Sequence, residues 1–279
     1  MVHPALDLVS PPLIKDLVAK HKAQVDQILF ALKNDVKGDE DVIVDELFAL
    51  RFLLSIRKLD VAEATKNARD TLAWRNANRE KLAAAAKGDL PNDAAFNLFV
   101  KSGYAGTLGG LHPVFIVRAG LGSTRDLMNA LSHDQVVEYL LMQNERAFRM
   151  TDGTSRETGR LCKLVTIIDL AEMSLFKFDR RFPKAQGASS HMSAVFYPQL
   201  LGKSVAINAP TFFKMMFGIF SLFMSPAAVE KFSMCPAQNT KEKSATACLF
   251  LAKFGANGPA SVPDFLGGTF STPDRLKLT

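Results

Sequence analysis

The chain has 279 residues, enough to bury a substantial core without disulfides or a structural metal. Hydrophobic residues make up 48%, ordinary for a globular protein, and no apolar run reaches the length of a membrane span. A net charge of +6 and a pI near 9.2 permit an anionic partner; without finger spacing, an RNP-type aromatic motif or a long Lys/Arg run, they fit a membrane surface better than nucleic acid.

The opening MVHPALDLVSPP has neither the apolar centre of a signal peptide nor the Arg-rich character of a transit peptide. Cys162, Cys235 and Cys248 are odd in number and widely spaced, as expected of reduced thiols in a cytoplasmic chain. After Ser10-Pro11-Pro12, Leu13, Leu17, Ile28 and Leu32 fall on one helical face. Asp41–Ile56 predicts a second helix, apolar over more than half its surface. Asp60 is placed to cap a third, with Glu63 at the capping-box position and Val61, Ala64, Ala68 and Leu72 on one face. Helical pattern continues to about Phe99, broken at Gly88 and Pro91. Residues 1–100 are therefore expected to form an all-helical module.

The pattern then changes. Gly103, Gly106, Gly109 and Gly110 read as a loop, and Pro113–Ala119 as a strand. Asp126–Met150 predicts one long helix, Leu161–Leu170 a buried strand, Phe182–Leu201 a helix, and Lys203–Ala209 another strand. A short strand near Phe232–Met234, a helix near Ala245–Phe254 and a turn at Pro263–Gly268 follow. Strands alternating with helices indicate an α/β fold with a parallel or mixed sheet, over residues 101–279.

The stretch Phe212–Met224 has an unusual composition. Phe212, Phe213, Phe217, Phe220 and Phe223 are joined by Met215, Met216, Ile219, Leu222 and Met224; Lys214, Gly218 and Ser221 share one narrow stripe, and the rest of the circumference is apolar. A surface helix needs only one apolar side. At roughly 20 Å this one is too short to cross a bilayer. It packs on both sides as a core helix, borders an apolar cavity, or dips into a membrane surface. Ser225-Pro226 is expected to end it.

Other chemistry finds little support. Leu201-Gly202-Lys203-Ser204 resembles the tail of a phosphate-binding loop, but Tyr197 stands where the motif needs its first Gly, and the strand follows instead of preceding. Gly120-Leu121-Gly122 lacks the third Gly of a dinucleotide loop, which is Arg125 here. Ser189, Ser190, His191 and Asp169 have no nucleophile elbow. The five histidines are scattered, and none pairs with Cys at metal spacing. Asp39, Glu40, Asp41, Asp45 and Glu46 read as a solvated face with helix N-terminal charges.

Several blocks carry a family resemblance. ALRFLLSIRKLDVAEA with TLAWR resembles the helical leader of the CRAL-TRIO lipid-binding family, which includes phosphatidylinositol transfer proteins. HPVFIVRAG and TIIDL resemble strands of its lipid-binding fold; YPQLLGKSVAINAP, the Phe-rich helix, FMSP and AVEKF resemble its most specific block, and VPDFLGGTF its closing turn. The resemblance implies a mixed sheet flanked by helices and enclosing an apolar lipid pocket, with the helix after INAP as a mobile gate. On it Phe212, Met216, Phe217, Phe220 and Phe223 would line the pocket. Arg57 and Lys231 match the family's headgroup-phosphate cations, and Tyr139 and Thr166 its pocket hydroxyls. The chain departs from the family at Gln199-Leu200, where an acidic–basic pair is usual, and at Leu164, where a Ser would stand. Arg57 alternatively serves as a solvated loop charge or the partner of Asp60. The expected protein is a cytoplasmic, monomeric carrier of one phospholipid or other hydrophobic molecule, phosphatidylinositol among the candidates. It would touch anionic membranes transiently and have no cofactor, no metal and no enzymatic activity. The alternative is a regulatory or targeting module that binds a lipid or protein without transferring anything.

Overall fold

The computed structural model describes residues 10–36 and 41–236, with Asp264, Ser271 and Leu276. Apolar burial sets the first two helices, and side-chain caps set the next two. α1 (Ile14–Lys20) and α2 (Lys22–Leu32) meet at His21, and Val25, Ile28 and Leu32 are fully buried. α3 (Glu46–Ser55) begins later than its apolar pattern predicts. The Asp45 side chain accepts from the Phe48 N–H at 3.1 Å, and this local bond ends the extended DVIV segment that precedes it. α4 (Val61–Ala77) is capped by Asp60, which accepts from the Glu63 N–H at 2.9 Å. α5 (Arg79–Ala86) and α6 (Asp93–Phe99) flank the expected break.

Among the described residues five strands form one mixed sheet in sequential order: β1 (Lys101–Leu108), β2 (His112–Arg118), β3 (Leu164–Asp169), β4 (Leu201–Ala209) and β5 (Phe232–Pro236). β1 and β2 are antiparallel and the remaining pairs parallel. The glycine-rich stretch expected to be a loop is thus strand β1. Gly109 and Gly110 turn the hairpin at φ of 64° and 70°, and Gly106, at φ 67°, takes up the register shift between Tyr104 and Thr107. An edge strand tolerates such a bulge, whereas the glycines erase the side-chain alternation that would announce it.

The expected Asp126–Met150 helix is two helices, α7 (Thr124–Ala130) and α8 (His133–Thr158). Ser132 divides them. Its hydroxyl accepts from the Gln135 N–H, and its own N–H donates to the Gln135 side chain. α9 (Arg181–Phe196) stops before Leu201 because Leu201 opens β4. α10 (Phe213–Ser221) is shorter than its composition suggests. Ser225-Pro226 does more than end it: the Ser225 hydroxyl accepts from the Ala228 N–H and Pro226 enters the first turn of α11 (Pro226–Glu230). The expected helix near Ala245 and, apart from Asp264, the turn at Pro263–Gly268 lie outside the described residues, as do Asp39, Glu40 and Cys248. Cys162 is a buried free thiol.

A buried ion cluster ties these layers together. Arg75 on α4, 2% exposed, donates to both carboxylate oxygens of fully buried Glu145 on α8, at 2.8 and 2.9 Å. Arg149 reaches Glu145 at 2.6 Å, and both arginines pair with Asp41. Asp41 is therefore an internal counter-charge and not part of a solvated face. Trp74 stacks on Phe196 of α9 at 4.2 Å beside this cluster.

Two outcomes follow from the cluster. Glu145→Gln leaves a buried guanidinium short of charge and should cost about 3–5 kcal/mol in urea unfolding. Burial alone would raise the Asp41 carboxyl, but Arg75 and Arg149 outweigh it and hold it below its ordinary value. Its contribution is therefore present above the unfolded carboxyl range, about pH 4, and is lost as the pH falls through the lowered native value. Asp41→Asn should flatten the acid limb of a stability–pH curve without changing the slope above pH ~5.

Candidate functional site

The sheet supplies the floor of a cavity of about 1760 Å³. One register row crosses all five strands: Tyr104 opposite Phe115, Phe115 opposite Thr166, Thr166 opposite Ser204, and Ser204 opposite Phe232. Every residue of that row lines the cavity. Alternate side chains share a face, so Val117 and Ile168 extend the same floor. The strand order is monotonic, and right-handed crossovers then place the connecting helices on one side. α8 contributes Tyr139, Leu140 and Gln143 to the walls, and α9 contributes Phe182, Ser189 and Ser193.

α10 closes part of the roof. Phe213, Phe217 and Phe220 line the cavity. Phe217 stacks on Phe232 at 4.1 Å, and Phe220 meets Phe178 at 5.6 Å. On the outside, Met215 and Leu222 are 66% and 79% exposed. The helix is therefore not a buried core element: it has apolar side chains toward both the cavity and solvent. Phe212 and Met216 are not among the lining residues; they belong to the apolar cluster around Leu170, Ala206 and Ala209. Phe223 packs on α9, so closely that a Cβ on Gly187 would lie 2.4 Å from the Phe223 carbonyl oxygen. Of the five aromatic and Met positions singled out in the sequence, Phe217 and Phe220 reach the cavity. Phe213, one turn before Phe217, joins them, and its i, i+4 spacing was the available signal.

The remaining expected positions all border the cavity. Thr166 sits in the floor row. Tyr139 is 1% exposed, its ring stacked on Phe96 at 3.8 Å and its hydroxyl 3.3 Å from an Asp93 carboxylate oxygen. Arg57 is 70% exposed, and its Nη2 lies 2.7 Å from Glu230 at the end of α11, not against Asp60. Lys231, the next residue, is partly buried; desolvation lowers its ammonium and Glu230 partly offsets this.

Sequence reasoning missed Lys163, just before β3. It is 1% exposed, and its ammonium donates to Oε1 of Gln199. Gln199 is itself fixed by donation from Nε2 to the Leu54 carbonyl at 2.7 Å, with its backbone at φ 61°. Burial, reinforced by the charges of Lys231 and Arg51, pushes the Lys163 ammonium down to about 7. The only hint was a lone Lys in the otherwise apolar LCKLVTIIDL.

Ser189 and Ser190 border the cavity while His191 is exposed, so the imagined hydrolase triad does not assemble. Among the described residues no group of His, Cys, Asp or Glu is arranged to hold a metal ion, and no helix is long and apolar enough to cross a membrane.

The family described as CRAL/TRIO domain matches residues 110–255, just over half of the chain. The SEC14 cytosolic factor of Eremothecium gossypii is 25% identical over 269 residues, covering 91% of this chain and 82% of that protein. The phosphatidylinositol/phosphatidylcholine transfer protein SFH12 of Arabidopsis thaliana is 23% identical over 247 residues, 85% of this chain. This chain spans only 43% of that plant relative. The crystal structure of Sfh5 shares the fold, with a TM-score of 0.54 at 16% identity over 82% of this chain and 81% of that one. The matched segment holds the hairpin turn, strands β2 to β5 and the helices between them, and on that evidence the chain belongs to the CRAL/TRIO domain family.

Proposed function

We propose that this protein binds one lipid in the cavity beneath α10 and carries it between membranes. The observation that carries the reading is the cavity: about 1760 Å³, floored by a row of side chains from all five strands and roofed by phenylalanines. It exceeds the ~300–1,000 Å³ of a site for a drug-sized ligand. Two acyl chains bring about 30 methylenes, each worth roughly 0.8 kcal/mol when kept from water, so a carrier must offset ~25 kcal/mol with its own dry wall. The names of the Arabidopsis relatives, which describe transfer of phosphatidylinositol and phosphatidylcholine, agree with this reading.

α10 acts as the gate. Its inner phenylalanines replace the bilayer interior for the acyl chains, and its outer Met215 and Leu222 enter the membrane surface when it swings. Phe223 against Gly187 is the hinge-side anchor. Helices α1 to α6 brace α8 and α9, and the net charge of +6 holds the protein briefly on anionic bilayers, less so in high salt.

Mass spectrometry of the purified protein under native conditions should show one lipid per chain, and fluorescent phospholipid should move from donor to acceptor vesicles when the protein is added. Bound lipid without movement would favour a sensing module; an empty cavity after incubation with vesicles would overturn the reading. Replacing both Met215 and Leu222 by Glu removes apolar contacts worth about 1.5–3 kcal/mol each at the membrane. Transfer should then slow by about tenfold or more, with the bound-lipid stoichiometry in the purified protein unchanged.

A further inference from the structure

The most exposed large apolar side chain among the described residues is Phe176, at 83%. It stands with Leu175, 47% exposed, on a single 3-10 turn, Leu175–Lys177, between β3 and α9, and neither side chain lines the cavity. The turn is pinned at both ends. Before it, the Ser174 hydroxyl accepts from the Phe176 N–H at 3.3 Å. After it, the Thr124 hydroxyl of α7 donates to the Lys177 carbonyl at 3.2 Å and accepts from the Asp179 N–H at 2.9 Å. Met173 and Phe178 pack against the apolar cluster around Leu170 and Phe213, and Phe178 meets Phe220 of α10 at 5.6 Å. A single exposed ring is common on protein surfaces. The charge around this one gives it a partner. From Glu172 to Lys184 four cations, Lys177, Arg180, Arg181 and Lys184, stand against two acids. Asp179 is held by Arg181 at 2.8 Å; Lys177, Arg180 and Lys184 are exposed and form no ion pair among the described residues.

We propose that the Leu175–Phe176 turn is a fixed wedge that docks this protein on an anionic bilayer, beside the moving α10. The proposal rests on the carrier reading above and adds the surface on which the carrier stands. The two apolar side chains enter the boundary between headgroups and acyl chains, while Lys177, Arg180 and Lys184 stay among the anionic headgroups. A second copy of the chain fits poorly, because it would bring the same cations against these. A protein interface fits less well too, since lysine is depleted there. The tethers of the turn explain its use. Ser174 and Thr124 hold it from the β3–α9 segment and from α7, and neither belongs to α10. A swing of α10 breaks the Phe178–Phe220 contact and leaves those hydrogen bonds intact, so the protein keeps its hold on the bilayer while the cavity is open.

The test uses the full chain and vesicles of phosphatidylcholine with and without phosphatidylglycerol. Phe176→Trp adds an indole to a chain whose one tryptophan, Trp74, is stacked on Phe196 and does not line the cavity. With acyl-brominated phosphatidylcholine in the vesicles, its fluorescence should be quenched beyond that of the wild type, and more so when phosphatidylglycerol is present. Phe176→Ser should weaken vesicle binding, read by co-flotation, by about tenfold, the scale of removing one large apolar side chain from a membrane surface. Arg180→Gln with Lys184→Gln should shrink the difference between the two kinds of vesicle. Bound lipid, counted by native mass spectrometry, should stay at one per chain in all of these variants. Unchanged vesicle affinity in Phe176→Ser together with no added quenching in Phe176→Trp overturns the wedge and leaves the carrier intact. A Phe176→Ser protein that has lost its bound lipid also overturns the wedge, since the side chain would then act on the cavity. Self-association of the wild type that Phe176→Ser abolishes, with vesicle affinity unchanged, overturns it in favour of a second copy. A wild-type protein that holds no lipid but binds vesicles through Phe176 overturns the carrier reading and, with it, the role of the wedge beside a gate.

Discussion

The sequential strand order is the constraint on which the site depends. Because β2 to β5 advance across the sheet in one direction, every parallel crossover returns on the same side. The helices gather over one sheet face, and each must span from one strand to the next without sinking onto it. α8 and α9 pack on each other and on the helices before β1, through Trp74 on Phe196 and the Glu145 cluster, so they are held from outside the sheet. α10 carries no ion pair among the described residues and is seated on α9 at its end, through Phe223 against Gly187. It covers the floor with Phe213, Phe217 and Phe220 and leaves Met215 and Leu222 in solvent.

Buried charge is used in two opposite ways. Around Glu145 the arginines and acids satisfy each other, and the result is a fixed joint between α4, α8 and the segment before α3. Partners of this kind make a buried ion specific in position, whatever its net effect on stability. Lys163 is buried to the same degree but is met by an amide. The first arrangement closes its electrostatics within the protein, while the second meets the charge with a neutral amide dipole. Gln199 links the two halves of the chain at this point, since its side chain bonds both Lys163 and the Leu54 carbonyl at the end of α3.

α10 also shows how composition and position divide the work. Its apolar residues divide between the cavity and an exposed side with Met215 and Leu222, where a core helix would bury all of them. The tight seat of Phe223 on Gly187 sets where the helix ends, and α11 begins at once under the Ser225 cap. Arg57 reaches across to Glu230 at the far end of α11. At that exposure the pair adds little to stability, and it marks where the helical residues of the chain's first part approach the roof.

Much of the fold was legible in the sequence. Apolar periodicity and caps such as Asp60 located α4 and its neighbours, and alternation bounded by Gly and Pro located β2, β3 and β4, because these are local properties of the chain. The ordered blocks from ALRFLLSIRK to AVEKF carried the family. What failed was also local in cause but decided by tertiary partners. β1 is invisible beneath its glycines until β2 pairs with it. The Ser132–Gln135 box was present, yet the apolar pattern ran through it. Among site residues, Phe217 and Phe220 could be named from the Phe-rich run, but nothing in the chain says which of its apolar side chains border the cavity, so Phe212, Met216 and Phe223 were placed with them. Asp41 read as a surface charge and Lys163 as part of a strand, since a charge acquires its meaning from what is folded against it. The sequence by itself determined most of the helices and strands and the family they compose; the tertiary structure alone decided which charges are paired, because those partners lie far apart in the chain and meet only when the layers close.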